Sequence, residues 1–350
     1  MRKYLRPAAF GLMVAATILT TVLRIWLIPG MQETDTGNFK ISYVIIGVMI
    51  FSFAALTVLI LAGKGGITHI NNMARADRLP MAISGILFGV VLLMSSLFDV
   101  WIWMVYNETP PPNENVINRL DSITLTLTLL FGILAGLFLI WFGIKASQSK
   151  IRLTPSFALG ALLPVIWIWF KLVRYQVSYA SAIPVEQSFY DFAMLIFSML
   201  FLFSFARYIS KIGESSSRSL LIYAHCASLM SLSGTIASMS LFMLGETDAY
   251  NSSNLAGIAD FGLGVFAFCT ALSLTFAKKI DDVEQPISET QENEAGFQQE
   301  GINQEDEAGF QQEDINQEDV IEKEIIGKEH SSTVDDILRE LKKTDDDINL

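Results

Sequence analysis

The chain has 350 residues, of which 51% are hydrophobic and only 17% charged, with a formal net charge of −12. This composition, gathered into long unbroken apolar runs, excludes an ordinary soluble globular protein. The charge is uneven: residues 281–350 hold 23 Asp+Glu against 5 Lys+Arg, so a strongly acidic tail (net −18) follows an apolar, mildly basic body (net +6).

A hydrocarbon core about 30 Å thick needs roughly 20 apolar residues in a helix. Eight stretches meet that length: about 8–28, 41–62, 81–106, 122–144, 156–175, 189–206, 219–244 and 256–277. The expected fold is therefore all-α, a polytopic bundle of eight transmembrane helices spanning residues 1–280. The first stretch follows Arg2, Lys3 and Arg6 like a signal peptide, but it is too long for an h-region and no small-x-small cleavage site precedes Gln32, so it reads as a retained anchor. Pro80 and Pro155 are expected to open the third and fifth spans, where a missing N–H costs nothing. Gly160 and Pro164 together predict an irregularity inside the fifth span.

Basic residues set the expected orientation. Fourteen of them (Arg2, Lys3, Arg6, Lys64, Arg75, Arg78, Lys145, Lys150, Arg152, Arg207, Lys211, Arg218, Lys278 and Lys279) flank the spans on one side, against Lys40 and Arg119 on the other. By the positive-inside rule both termini are cytoplasmic. Trp26, Trp101, Trp103, Trp167 and Trp169 then form an aromatic belt near the outer interface.

Charges inside a membrane are costly and face the bundle interior, which makes them the first candidates for a site. They are Arg24, Asp99, Lys171, Arg174, Asp191 and Asp260, three basic and three acidic, all in the outer halves of their spans. Helical spacing predicts that several point inward. Gly85, Gly89, Leu92, Ser96, Asp99 and Trp103 share one stripe of the third span, and Gly160, Pro164, Trp167, Lys171 and Arg174 one of the fifth. Gly257, Asp260, Gly264, Ala267 and Ala271 do the same in the eighth, while Thr17, Thr20, Thr21 and Arg24 make a polar face in the first. Two readings follow: an outward-facing polar vestibule for a small solute or ion, or salt bridges that lock the helices in register.

Tyr190-Asp191 together with Gly257, Asp260 and Phe261 resembles the Tyr-Asp and Gly-x-Gly-Asp motifs of presenilin-type intramembrane proteases over fewer than ten residues. The resemblance implies an aspartyl dyad of Asp191 and Asp260. The chain departs from that pattern in having Ala259 for the second glycine, no Pro-Ala-Leu motif, and parallel helices.

Other chemistry is thinner. Cys226 and Cys269 both lie inside apolar runs, which excludes a disulfide framework. Residues 63–66 lack the spacing and the Ser/Thr of a phosphate-binding loop. His69, His225 and His330 are too scattered for a metal site, and no motif calls for a cofactor or for nucleic acid. His225 reads as a packed, hydrogen-bonded core residue, with a proton relay as the alternative. Ser228, Ser231, Thr235 and Ser238 share a face of the seventh span and read as packing hydroxyls.

In the tail, residues 294–306 are repeated at 307–319 with Gly301 replaced by Asp314. Low hydrophobicity and high charge predict a disordered linker over 281–330. Over 331–344, Val334, Ile337, Leu338 and Leu341 fall on one face of a short amphipathic helix, which predicts a groove on a cytosolic partner protein. Residues 334–341 resemble short acidic-amphipathic endings on assorted proteins of Gram-positive, Clostridia-like bacteria, which implies a bacterial cytoplasmic membrane. The expected function is a small-solute or ion transporter-like membrane protein, with a scaffold or sensor that recruits a cytosolic partner as the alternative.

Overall fold

A computed structural model describes residues 4–30, 38–63, 70, 73–107, 117–148, 155–179, 185–210, 216–243 and 255–277. Nearly all of these residues are helical, with no sheet among them. In chain order the helices are α1 (Leu5–Gly30), α2 (Asn38–Ala62), α3 (Arg75–Asn107), α4 (Ile117–Ser147), α5 (Pro155–Gly160), α6 (Leu163–Tyr179), α7 (Val185–Ile209), α8 (Ser216–Met243) and α9 (Leu255–Phe276). Eight stretches are long and apolar enough to cross a membrane: Leu5–Trp26, Val44–Ala62, Arg75–Trp101, Ile123–Ser147, Phe157–Gln176, Tyr190–Ile209, Ser216–Ser240 and Gly257–Phe276. Each of the eight stretches expected from the sequence thus falls on a long apolar helical stretch among the described residues. Val334, Ile337, Leu338 and Leu341, with the whole acidic tail, lie outside the described residues.

Two local expectations meet different fates. Pro155 does open α5, but Pro80 lies inside α3, which starts five residues earlier at Arg75. The Arg78 and Asp77 amides already bond to the Ala74 carbonyl, so the helix is under way before the proline arrives. The irregularity at Gly160 and Pro164 is real. The fifth span is two helices, α5 and α6, joined by a turn at residues 161–162. Pro164 offers no N–H to the Gly160 carbonyl, and the Leu162 amide instead bonds to Leu159 in a tighter turn.

Six spans close on themselves. α3 packs on α4, α4 on α6, α6 on α7, α7 on α8, α8 on α9, and α9 returns to α3. The α1–α2 pair stands outside this ring and meets it mainly along α8. The ring's interior is filled by aromatic side chains. Phe266 of α9 stacks on Phe88 of α3 at 5.9 Å and meets Phe205 and Phe201 of α7 at 5.2 and 5.6 Å. Phe142 of α4 joins them at 5.0 Å from Phe205. All of these rings are buried. Such pairs add about 0.5–1.5 kcal/mol each beyond their buried area.

The tightest helix pair is α3 with α4, and glycines make it so. A Cβ on Gly89 would sit 2.7 Å from the Gly136 carbonyl oxygen, and one on Gly136 2.9 Å from that of Gly89. Gly85 and Gly89 thus do mark a contact face, as their spacing predicts. The outward faces of the helices carry large apolar side chains, among them Val22, Phe51, Leu87, Leu97 and Leu137. In water these would be costly, and such faces suit a lipid surrounding.

Candidate functional site

Arg24, near the end of α1, is only 7% exposed. Its guanidinium lies 4.5 Å from the centre of the Tyr190 ring on α7 and interacts electrostatically with Asp191, the next residue. It also crosses α8 where that helix has no side chain: a Cβ on Gly234 would meet the Arg24 Nη1 at 2.9 Å. One arginine therefore bridges three helices.

A second pair stands on α6 and α9. Lys171 Nζ donates to Asp260 Oδ1 and forms an ion pair with it. Lys171 also lies 5.5 Å from the centre of the Trp167 ring, one turn earlier on α6. Asp260 is 6% exposed, while Lys171 keeps more contact with the surface.

The two centres form one network. Asp191 feels Arg24, Lys171 and Asp260, and Asp99 on α3 feels both Arg174 and Lys171. All six charges predicted from sequence thus gather at one end of the bundle, from five different helices. Three positive and three negative charges leave the cluster neutral. Asp99, Lys171, Arg174 and Asp191 are half-buried, so the cluster reaches the surface at that end, whereas Arg24 and Asp260 close its floor.

Some expectations are corrected. Trp26, Trp101 and Trp169 are exposed, but Trp167 is buried at 3%, between Phe88 and the Lys171 ammonium. It belongs to the α6 stripe and not to a belt. The threonine face of α1 is largely satisfied within its own helix: Thr17 donates to Met13, Thr20 to Ala16, and Thr21 to Thr17. Asp260 is committed to Lys171, and that pairing differs from two aspartates sharing a proton. Tyr190 enters only as a partner of Asp191 in the sequence pattern, and Gly234 carried no signal as the seat of Arg24.

α8 is the most enclosed helix of the eight spans. His225 is fully buried, and its Nδ1 lies 2.6 Å from the Leu221 carbonyl. A carbonyl can only accept, so Nδ1 carries the hydrogen and Nε2 presents a lone pair. Nε2 has no hydrogen-bond partner, and neither have the buried hydroxyls of Ser228 and Ser231. Among the described residues no group of three or more His, Cys, Asp or Glu is placed to hold a metal ion. Comparisons with protein-family models, curated proteins and solved structures give no match.

Proposed function

We propose that the protein is a multi-pass membrane transporter-like protein that takes a small solute or ion at the charge cluster. The observation that carries this reading is the convergence of six balanced charges from α1, α3, α6, α7 and α9 at one end, partly open to the surface. Salt bridges that only fixed helix register would need no more than one partner each. Here the acids and bases share partners, and four of the six retain surface contact. A charged or zwitterionic solute can exchange with such partners without leaving a bare charge behind. The basic residues at the opposite end support placing this cluster on the outer side of a cell membrane, with both termini in the cytoplasm.

Ligand-linked stability tests the proposal. A ligand that binds the native state alone raises its melting temperature by mass action. Purified protein is screened against alkali cations, halides and free amino acids, beside an Asp191→Asn variant. A solute that stabilises the parent chain and not the variant is the expected result. No shift with any of them, or equal shifts in both proteins, defeats the reading.

A further inference from the structure

We propose that the row His225, Ser228, Ser231 on α8 is a hydrated proton path that leads from the charge cluster into the body of the bundle, with His225 Nε2 as its proton acceptor. The inference deepens the transport reading, on which it rests, by naming the proton as the ion that accompanies it.

The row follows from helix geometry. Residues 225, 228, 231 and 234 step by three, along one ridge of α8. Both ends of this ridge touch α1. His225 meets Phe10 edge-on at 6.1 Å between ring centres, and Gly234 receives the Arg24 guanidinium. Each step turns the row by about 60°, so it winds round α8 from the Phe10 contact at His225, through Ser228, to Ser231 against α9 and Gly234 under the tip of Arg24. α9 walls the other side: a Cβ on Gly264 would sit 3.0 Å from Ser231 Cβ, and Phe10 packs on Phe268 and Phe276 at 5.2 and 5.8 Å. The three phenylalanines close the end near His225, while the end at Gly234 opens on Arg24.

The polar groups of this row are the unusual part. Other hydroxyls on α8 donate to their own helix, Thr235 to Ser231, Ser238 to Gly234 and Ser240 to Ile236. That arrangement satisfies a serine in an apolar setting. Ser228 and Ser231 do not use it, and an orphaned buried hydroxyl costs about 1–3 kcal/mol. His225 adds an orphaned lone pair on the same ridge. Two donors and one acceptor, spaced one turn apart, supply the polar partners that short hydrogen-bonded water bridges use.

The transfer is simple. A hydronium arriving from the cluster end gives its proton to Ser228 Oγ as the existing Oγ–H bond breaks; that hydrogen passes to a water bridging Ser228 and His225, and the bridging water gives one of its own protons to Nε2. Water and an intact hydroxyl remain, and the ring becomes imidazolium, with Nδ1–H still held by the Leu221 carbonyl. The reverse step releases the proton. Among the described side chains, the charged and titratable groups on the surrounding helices are Arg6 and Arg24 on α1, Tyr190, Asp191, Arg207 and Tyr208 on α7, Asp260 and Cys269 on α9, and Arg218, Tyr223 and Cys226 on α8, with none on α2. Arg6 and Arg218 repel each other toward the end near His225. At the other end Arg24 is balanced by the carboxylates of Asp191 and Asp260, so the unbalanced positive charge lies at the end near His225 and the cluster end is the easier entry for a proton.

Full-length protein labelled with 15N-histidine, in lipid bilayers, provides the test by solid-state NMR. His69→Gln and His330→Gln leave His225 as the sole signal. The expected result is a neutral ring protonated at Nδ1, rapid magnetisation transfer from water to Nε2, and conversion to imidazolium as the pH is lowered. Ser228→Ala with Ser231→Ala should slow the water transfer several-fold while the folded spectrum persists. A ring that draws nothing from water, that is indifferent to loss of both serines, or that stays neutral until the protein unfolds overturns the proposal. Solute-linked stabilisation at the cluster is measured separately. If it persists while this test fails, the proton path alone is lost.

Discussion

Arg24 lies against Gly234, in a gap on α8 that any side chain would fill: its Nη1 comes within 2.9 Å of where a Cβ would stand. The guanidinium reaches Tyr190 and Asp191 only because α8 presents bare backbone there. Gly234→Leu should therefore evict the arginine and destabilise the protein by about 1–3 kcal/mol, the usual cost of overpacking. The check is thermal unfolding in the Arg24→Ala background, where the same change should cost less than half as much. Equal costs in both backgrounds would separate the two residues.

Lys171 and Asp260 are joined across α6 and α9. Asp260→Asn leaves a half-buried ammonium without its main partner and should cost about 3–5 kcal/mol. Lys171→Met in the same chain should recover a large part of that loss. A double-mutant cycle on melting temperatures measures the coupling, and simple additivity would contradict the pairing.

The glycines of α3 and α4 predict a graded series. Gly136→Leu drives a side chain into the Gly89 carbonyl and the Leu93 side chain and should destabilise by 1–3 kcal/mol or more, roughly the overpacking range. Gly47, inside α2, has nothing within 4 Å of where its Cβ would be. Gly47→Ala should instead be neutral or gain about 0.5–1 kcal/mol from helix propensity. Denaturation midpoints in detergent rank the two, and a reversal of order would mean that α3 and α4 do not cross at these residues.

Orientation is open to a labelling experiment. In a chain with Cys226 and Cys269 replaced by alanine, a cysteine at Asn113 should react with an impermeant thiol reagent in whole cells, and one at Ser147 only after lysis. The opposite pattern inverts the topology and moves the charge cluster to the cytoplasmic side.

The spans and the six charges were legible in the sequence because each rests on a local cost. An apolar run of 20 residues and a charge within it are visible without knowing any neighbour. Which charge meets which partner is not local. Lys171 finds Asp260 at a separation of 89 residues, and Arg24 finds its seat on α8 through a glycine that looks like any other. Trp167 could have been placed correctly, since its spacing from Lys171 put it on the inward stripe; interface preference pointed the other way, and packing won. Gly132, Gly136 and Gly143 form the face of α4 that meets α3, yet with no charge among them they drew no notice. Pro80 shows the limit of position rules: its place relative to the helix start depended on where α3 began, which residues 74–78 decide.

The Phe266 hub has a mechanical consequence. Rings from α3, α4 and α7 all bear on this one side chain, so sliding any of these helices past the others would mean unpacking the same knot. The six-helix ring behaves as a block. α1 and α2 contribute nothing to that knot and meet the block chiefly along α8, across a seam whose cluster end is latched by Arg24 over a glycine. A two-helix arm that turned against this six-helix body would leave the knot intact and would have to rebuild only the seam: the Arg24 latch at one end and the Phe10 packing on Phe268 and Phe276 at the other.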